Sequence, residues 1–327
     1  MAAVGQGEEF RVPEAHLRGG IGRLPSETLR ALTRLSPLRA TLSLAQTFVL
    51  AALALGVAIR FPHPLVVVAA WIVVAGQQHG LAILAHQSAH YRLYETRWLN
   101  DLCGKLCGIP LGVSMITYRV IHRIHHNELY TPLDPDLPLM AGYPRGRAYL
   151  LRKLGKDLLG VTSLKNYAYF FGLQARGDTS PALQRAAMMD RRLVVCANAA
   201  LLIALVMTGG LGWYLLLWLL PLLTLLAALL RLRAVLEHGA VPDPTDTVRA
   251  ARTTLSPFWI RWLVYPHSMN FHIEHHLYPA IPHYRLAAAH RALAAAGILE
   301  GAEVSESFGE SLRRVFADAA VPALARR

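Results

Sequence analysis

Four long stretches of this chain contain no Asp, Glu, Lys or Arg, and a bilayer accepts only backbone that satisfies its own hydrogen bonds. They run from Ser43 to Ile59, Pro64 to Ala85, Leu193 to Val206 and Leu211 to Leu230, and His79 is the one histidine among them. Each approaches the roughly 17 to 25 residues that cross a hydrocarbon core, the third being the shortest. In a 327-residue chain that is 54% hydrophobic, such bunching argues for membrane helices rather than one soluble core. Only Arg60 to His63 separates the first two stretches, and a few residues around Gly209 and Gly210 separate the last two. The expected fold is an all-α integral membrane protein: four transmembrane helices in two hairpins, with a cytoplasmic helical cap.

Charge sets the orientation. Arg23, Arg30, Arg34 and Arg39 precede the first stretch, Arg191 and Arg192 precede the third, and Arg231 and Arg233 follow the fourth. The two short turns hold one arginine between them, so the positive-inside bias places both termini and the central segment in the cytoplasm, the membrane being the cell's inner or plasma membrane. No basic helix, stacking motif or zinc finger accompanies the net charge of +12, which excludes a nucleic-acid role and suits anionic headgroups or an acidic redox partner. Cys103, Cys107 and Cys196 form no CxxC pair. The opening MAAVGQGEEF lacks a signal-peptide layout, so residues 1–40 are expected to form a cytoplasmic arm, 41–295 the membrane domain and 296–327 a cytoplasmic tail.

Nine of the fifteen histidines fall into four groups: His86 and His90 in HQSAH; His122, His125 and His126 in HRIHH; His238 in EHG; His272, His275 and His276 in HIEHH. On a helix, His86 and His90 stack about 6 Å apart along the axis. The i, i+3, i+4 spacing of the two triplets covers an arc of about 100° on one face. With both hairpins opening to the same side, all nine imidazoles can meet there. Zinc is satisfied by three or four protein ligands, so nine is too many for one ion. Gln87 stands where a zinc-protease HExxH motif needs glutamate. Two ions, each with four or five nitrogens and room for another ligand, suit redox chemistry on dioxygen, although imidazole alone does not select the metal.

HQSAH, HRIHH, RAVLEHGA and NFHIEHHLYPAIPHYRL, in this order and with these spans, resemble the membrane fatty acid desaturase superfamily from about residue 40 to residue 295. The resemblance implies that these nine histidines bind two iron ions, with dioxygen as co-substrate. It implies oxygen-dependent desaturation of a fatty acyl chain on a membrane lipid or thioester, or alternatively hydroxylation or ketolation of a lipid or carotenoid by the same centre. Two departures stand out: Gln87 replaces an acidic residue common in relatives, and no HPGG haem motif occurs. Electrons are therefore expected from a separate protein, such as a ferredoxin or a cytochrome b5-type carrier.

Gln87, Asn100, Glu237, Asn270 and Glu274 are candidates to orient imidazoles through a free ring N–H. For Asn100 a cap or turn role is an equal expectation. Asp134 and Asp136 in LDPDLP read as turn residues. His79 reads as a buried polar contact, and His16, His63, His267, His283 and His290 as structural or solvated. A metal transporter would set its ligands near the bilayer midplane, which these groups do not match.

Overall fold

The computed structural model describes residues 23–172, 180–243, 246 and 248–317. The expected N-terminal arm and C-terminal tail thus lie partly outside the described residues, as does His16. Helices α1 (Ser26–Thr33), α2 (Pro37–Arg60) and α3 (Pro64–Ala89) open the fold. Ser36 and His63 each accept a backbone N–H at the start of α2 and α3, and a proline follows each, the arrangement that pre-sets a helical first turn. His63 is therefore a helix cap.

Then come α4 (Arg97–Gly108), α5 (Met115–Asn127), α6 (Leu137–Met140), α7 (Arg147–Leu158), α8 (Ser163–Gly172) and α9 (Pro181–Met207). The next crossing is interrupted: α10 (Leu211–Tyr214), a π turn, α11 (Leu220–Leu223) and α12 (Leu225–His238). Pro221 lacks the N–H that the carbonyl of Leu217 would receive, which accounts for the π turn beside it. After β1 (Thr253–Thr254) come α13 (Phe258–Val264), α14 (His272–Leu277), α15 (Leu286–Ala295), β2 (Val304–Ser305) and α16 (Phe308–Phe316). The two strands pair in parallel, a small departure from an all-helical expectation, and join the carboxy-terminal residues to the segment before the fourth histidine group.

Three helices among the described residues are long and apolar enough to cross a membrane: Pro37–Arg60, Pro64–Ala89 and the stretch Leu211–His238. The expected third span falls in the second half of α9, whose first half carries Arg185, Asp190, Arg191 and Arg192, so its uncharged length is short. Asp190 has a structural task. Its carboxylate accepts from Ser114 Oγ at 2.7 Å and Ile116 N at 3.1 Å, pinning α9 to the positive end of α5.

The spans are not equivalent. In the apolar window of α2 only 17% of residues are buried inside the protein, against 56% in that of α3, so α3 is the central helix and α2 its lipid-facing partner. Every residue from Val74 to Leu81 is buried, the polar Gln77, Gln78 and His79 included. One core cluster surrounds the lower half of α3 with α4 and Met115 of α5, and another joins α14 and α15 to Leu24 and Leu32.

Close approach of α4 to α3 and α5 depends on Gly104. A Cβ there would stand 2.5 Å from Met115 Sδ and 2.7 Å from Ser88 Oγ, and Ser88 is itself bonded to the carbonyl of Asn100. Both neighbours are buried, so Gly104→Ala is expected to destabilise the protein by roughly 1–3 kcal/mol through overpacking. A thermal melt in detergent checks this; an unchanged midpoint would contradict the packing described.

Candidate metal centre

Helix ends carry the nine histidines to one place. His86 lies in the last turn of α3 and His90 caps it; His122, His125 and His126 lie on α5; His238 ends α12; His272, His275 and His276 lie on α14. Ligand atoms of His86, His90, His122, His126 and His275 all lie within 4.8 Å of one another, as do those of His125, His238 and His276. His272 joins the second group, its Nε2 standing 2.8 Å from that of His238 and 3.1 Å from that of His276. The groups adjoin, because the His126 and His276 rings stack at 4.4 Å.

The spacing within each group tests whether metal ions fit. Nε2 of His90 is 2.8 Å from that of His122, which is 3.0 Å from that of His126, which is 3.1 Å from that of His275. Two imidazole nitrogens bound at about 2.1 Å and at right angles on one ion stand about 3.0 Å apart. Protons are a poor substitute. His238 donates Nδ1–H to the carbonyl of Ala250 at 3.2 Å, which leaves its Nε2 as a lone pair facing another imidazole. His86 Nε2 is buried with no hydrogen-bond partner among the described residues. Convergent lone pairs and an orphaned ring nitrogen fit cations.

Protonation states agree. Burial, and then the repulsion of neighbouring imidazoles, holds His122, His126 and His276 well below the ordinary histidine range. His272 and His275 follow the same pattern. Burial, followed by Arg92 and Arg119, takes His90 down to about 3. These rings stay neutral, as ligation requires. His125 is the exception: burial lowers it, but the hydrogen bond to Asp134 and the charges of Asp136 and Glu237 outweigh that and raise it.

Asp134 does more than turn chemistry. Its Oδ1 accepts from His125 Nδ1 at 3.0 Å while also accepting from Asp136 N, and its Oδ2 accepts from Tyr130 N. A carboxylate that fixes the ring N–H aims Nε2 at the second group. Asp136 is more distant, 3.6 Å from the same ring nitrogen. The sequence clue was a buried acid nine residues after His125, hidden inside a turn motif that explains it equally well. Arg252 was missed entirely. It is fully buried and donates to the carbonyls of Leu236, Gly239 and Ala240, capping the end of α12 where His238 sits.

The other candidates divide. Glu237 takes two bonds from Arg233 at 2.8–2.9 Å and lies 3.5 Å from His272 Nδ1. Gln87 Nε2 is 3.5 Å from His86 Nδ1, and Gln87 Oε1 accepts from His283 N. Asn100 touches no imidazole: its side chain bonds the backbone of Leu93, Tyr94 and Thr96, holding the turn after His90. Asn270 bonds the carbonyl of Thr254. Glu274 bonds Thr253 and His290, not a member of the cluster. His79 faces the carbonyl of Leu263, while His267 and His283 meet Thr47 and Ser43 of α2.

A fatty acid desaturase family model matches residues 62–306, and the chain belongs to that family. It is an oxidoreductase of the desaturase type. The sn-1 oleoyl-lipid 12-desaturase of Anabaena variabilis is 25% identical over 306 residues, covering 86% of this chain and 82% of the relative. The Delta(12) acyl-lipid conjugase of Momordica charantia is 26% identical over 69% of this chain and 64% of its own length. Dihydrorhizobitoxine desaturase of Bradyrhizobium elkanii is 25% identical over 67% of this chain and 65% of its own. Their names differ in what is oxidised, so the likeness establishes the class and not the substrate.

Removing a carboxylate behind a ligating histidine weakens metal binding by about 10–100-fold. Asp134→Ala is expected to lose metal to a chelator at correspondingly lower chelator concentration, measured by competition on the purified protein. Asn100→Ala is expected to behave differently, retaining metal but lowering stability by about 1–3 kcal/mol through unsatisfied backbone groups. Equal metal loss in both variants would contradict this division.

Proposed function

We propose that this protein is a di-iron, oxygen-dependent desaturase of fatty acyl chains carried on a membrane lipid. The observation that carries the reading is the pair of adjoining imidazole groups, whose lone pairs converge at metal-ligand spacing. All nine histidines serve as ligands, five on one ion and four on the other. When bound, two iron ions supply the redox power to reduce dioxygen, which no protein side chain can provide for an unactivated methylene pair. The balance is one CH2–CH2 unit, one dioxygen, two electrons and two protons giving one CH=CH unit and two waters.

The chain's own residues position and insulate. Asp134, Ala250 and Glu237 set ring orientation around the second group; burial excludes water from the first. The apolar half of α9, with Ile203, Val206 and Met207 exposed, forms a fourth span. The cluster faces the cytoplasm, where a ferredoxin or cytochrome b5-type protein delivers electrons to a chain whose net charge of +12 suits an acidic carrier.

Purified protein is expected to hold about two irons and consume dioxygen with reductant. Gas chromatography and mass spectrometry of host lipids should show acyl chains lighter by two hydrogens, and His122→Ala should abolish that product. Chains heavier by one oxygen would instead establish hydroxylation.

A further inference from the structure

The two imidazole groups differ in what stands behind their rings. In the second, His125 Nδ1 faces Asp134 at 3.0 Å and Asp136 at 3.6 Å, His238 Nδ1 faces the carbonyl of Ala250 at 3.2 Å, and His272 Nδ1 lies 3.5 Å from Glu237. Arg233 offsets Glu237, which leaves the two aspartates as excess negative charge. In the first group no carboxylate bonds His86, His122, His126 or His275 among the described residues, and His275 Nδ1 is buried without a partner there. The charges beside His90 are cationic: Arg119, paired with Asp101, and Arg92, which meets no carboxylate among the described residues.

Gln87 sharpens the difference, because its orientation is forced. The backbone N–H of His283 can only donate, so the atom that meets it at 3.1 Å is the amide oxygen. The amide nitrogen is thereby turned toward His86 Nδ1, at 3.5 Å. An NH2 group accepts a lone pair in that place and opposes a second N–H, so it disfavours the tautomer of His86 with its proton on Nδ1. That is the tautomer whose Nε2, the buried ring nitrogen without a partner, is free to bind a cation. Gln87 is 1% exposed and His86 2%, so bulk solvent does not screen the conflict.

We propose that the two metal positions are electronically unequal by construction: Asp134 makes the four-histidine group the electron-rich ligand set, and Gln87 makes the five-histidine group the electron-poor one. The inference rests on the di-iron reading and adds an order to its two ions. A carboxylate behind a ring N–H raises the basicity of the ligating nitrogen, and nearby negative charge favours the higher oxidation state. An amide NH2 behind the ring does the reverse. The group of His125, His238, His272 and His276 therefore favours a ferric over a ferrous ion more strongly than the group that contains His86. Asp134 and Gln87 each act through a ring nitrogen, which makes them positioning residues.

The test is a redox titration of the full chain in detergent, loaded with isotopically enriched iron and followed by Mössbauer spectroscopy. An electrode, through mediators, supplies one electron to each ferric ion, which becomes ferrous. After the first electron, one ferric and one ferrous doublet are expected. Asp134→Asn should alter the ferric doublet and raise the lower potential; Gln87→Glu, whose second oxygen can accept the Nδ1–H of His86, should alter the ferrous doublet and lower the higher potential. Each shift is expected to reflect about a tenfold change in the ratio of ferric to ferrous affinity, about 59 mV for one electron. Should Asp134→Asn lose iron, Glu237→Gln reports on the same group and should also raise the lower potential. The reverse assignment, or equal changes in both doublets with each variant, would overturn the proposal while two bound irons left the di-iron reading standing. Fewer than two irons in the unaltered protein would refute that reading, and this inference with it.

Discussion

Ring nitrogens of seven imidazoles stand 2.8–3.1 Å from a neighbour's here, with His86 and His125 completing the two groups, and bringing so many buried acceptors together is the constraint the rest of the structure serves. The surrounding scaffold reads as a set of devices for holding rings in that arrangement. Arg252 caps α12 so that His238 stays at its end; Asp190 fixes α9 to the start of α5; Asn100 closes the turn behind His90. Among the described residues none of the three bonds an imidazole of the cluster. Each places a helix terminus, and the termini place the rings.

Much of this was legible in the chain itself. The spacing of HQSAH, HRIHH and HIEHH needs only helical geometry to bring ring nitrogens onto common faces, and the uncharged stretches need only bilayer thickness to put those faces together. Less legible was α9, where composition marks an apolar stretch but Asp190, Arg191 and Arg192 continue the same helix into polar surroundings. A helix boundary and a membrane boundary are different things, and hydropathy sees only the second.

Second contacts were hardest to read, for a physical reason. Whether a carboxylate meets an imidazole depends on side-chain direction in a folded body, not on nearness in sequence. Glu274 sits between two cluster histidines and points instead to Thr253 and His290, because residues i and i+1 on a helix face apart. Asp134, nine residues beyond His125, reaches that ring because the chain folds back through a turn its own oxygens stabilise. Arg252 is separated from its three carbonyl partners by at least a dozen residues and has no local signature at all.

Helix α3 carries both the first pair of cluster histidines and the wall of a cavity beneath α13. Its last turn supplies His86 and its cap His90, while two turns earlier Gly76, Gln77 and Gly80 form the wall against which α13 rests. A polar amide at that depth is expensive in a helix that crosses a bilayer unless it meets a partner. Gln78 finds one in the carbonyl of Trp218, and His79 one in that of Leu263. Gln77 forms no side-chain hydrogen bond among the described residues and lines, with Gln46 and Arg261, the cavity between α2, α3 and α13.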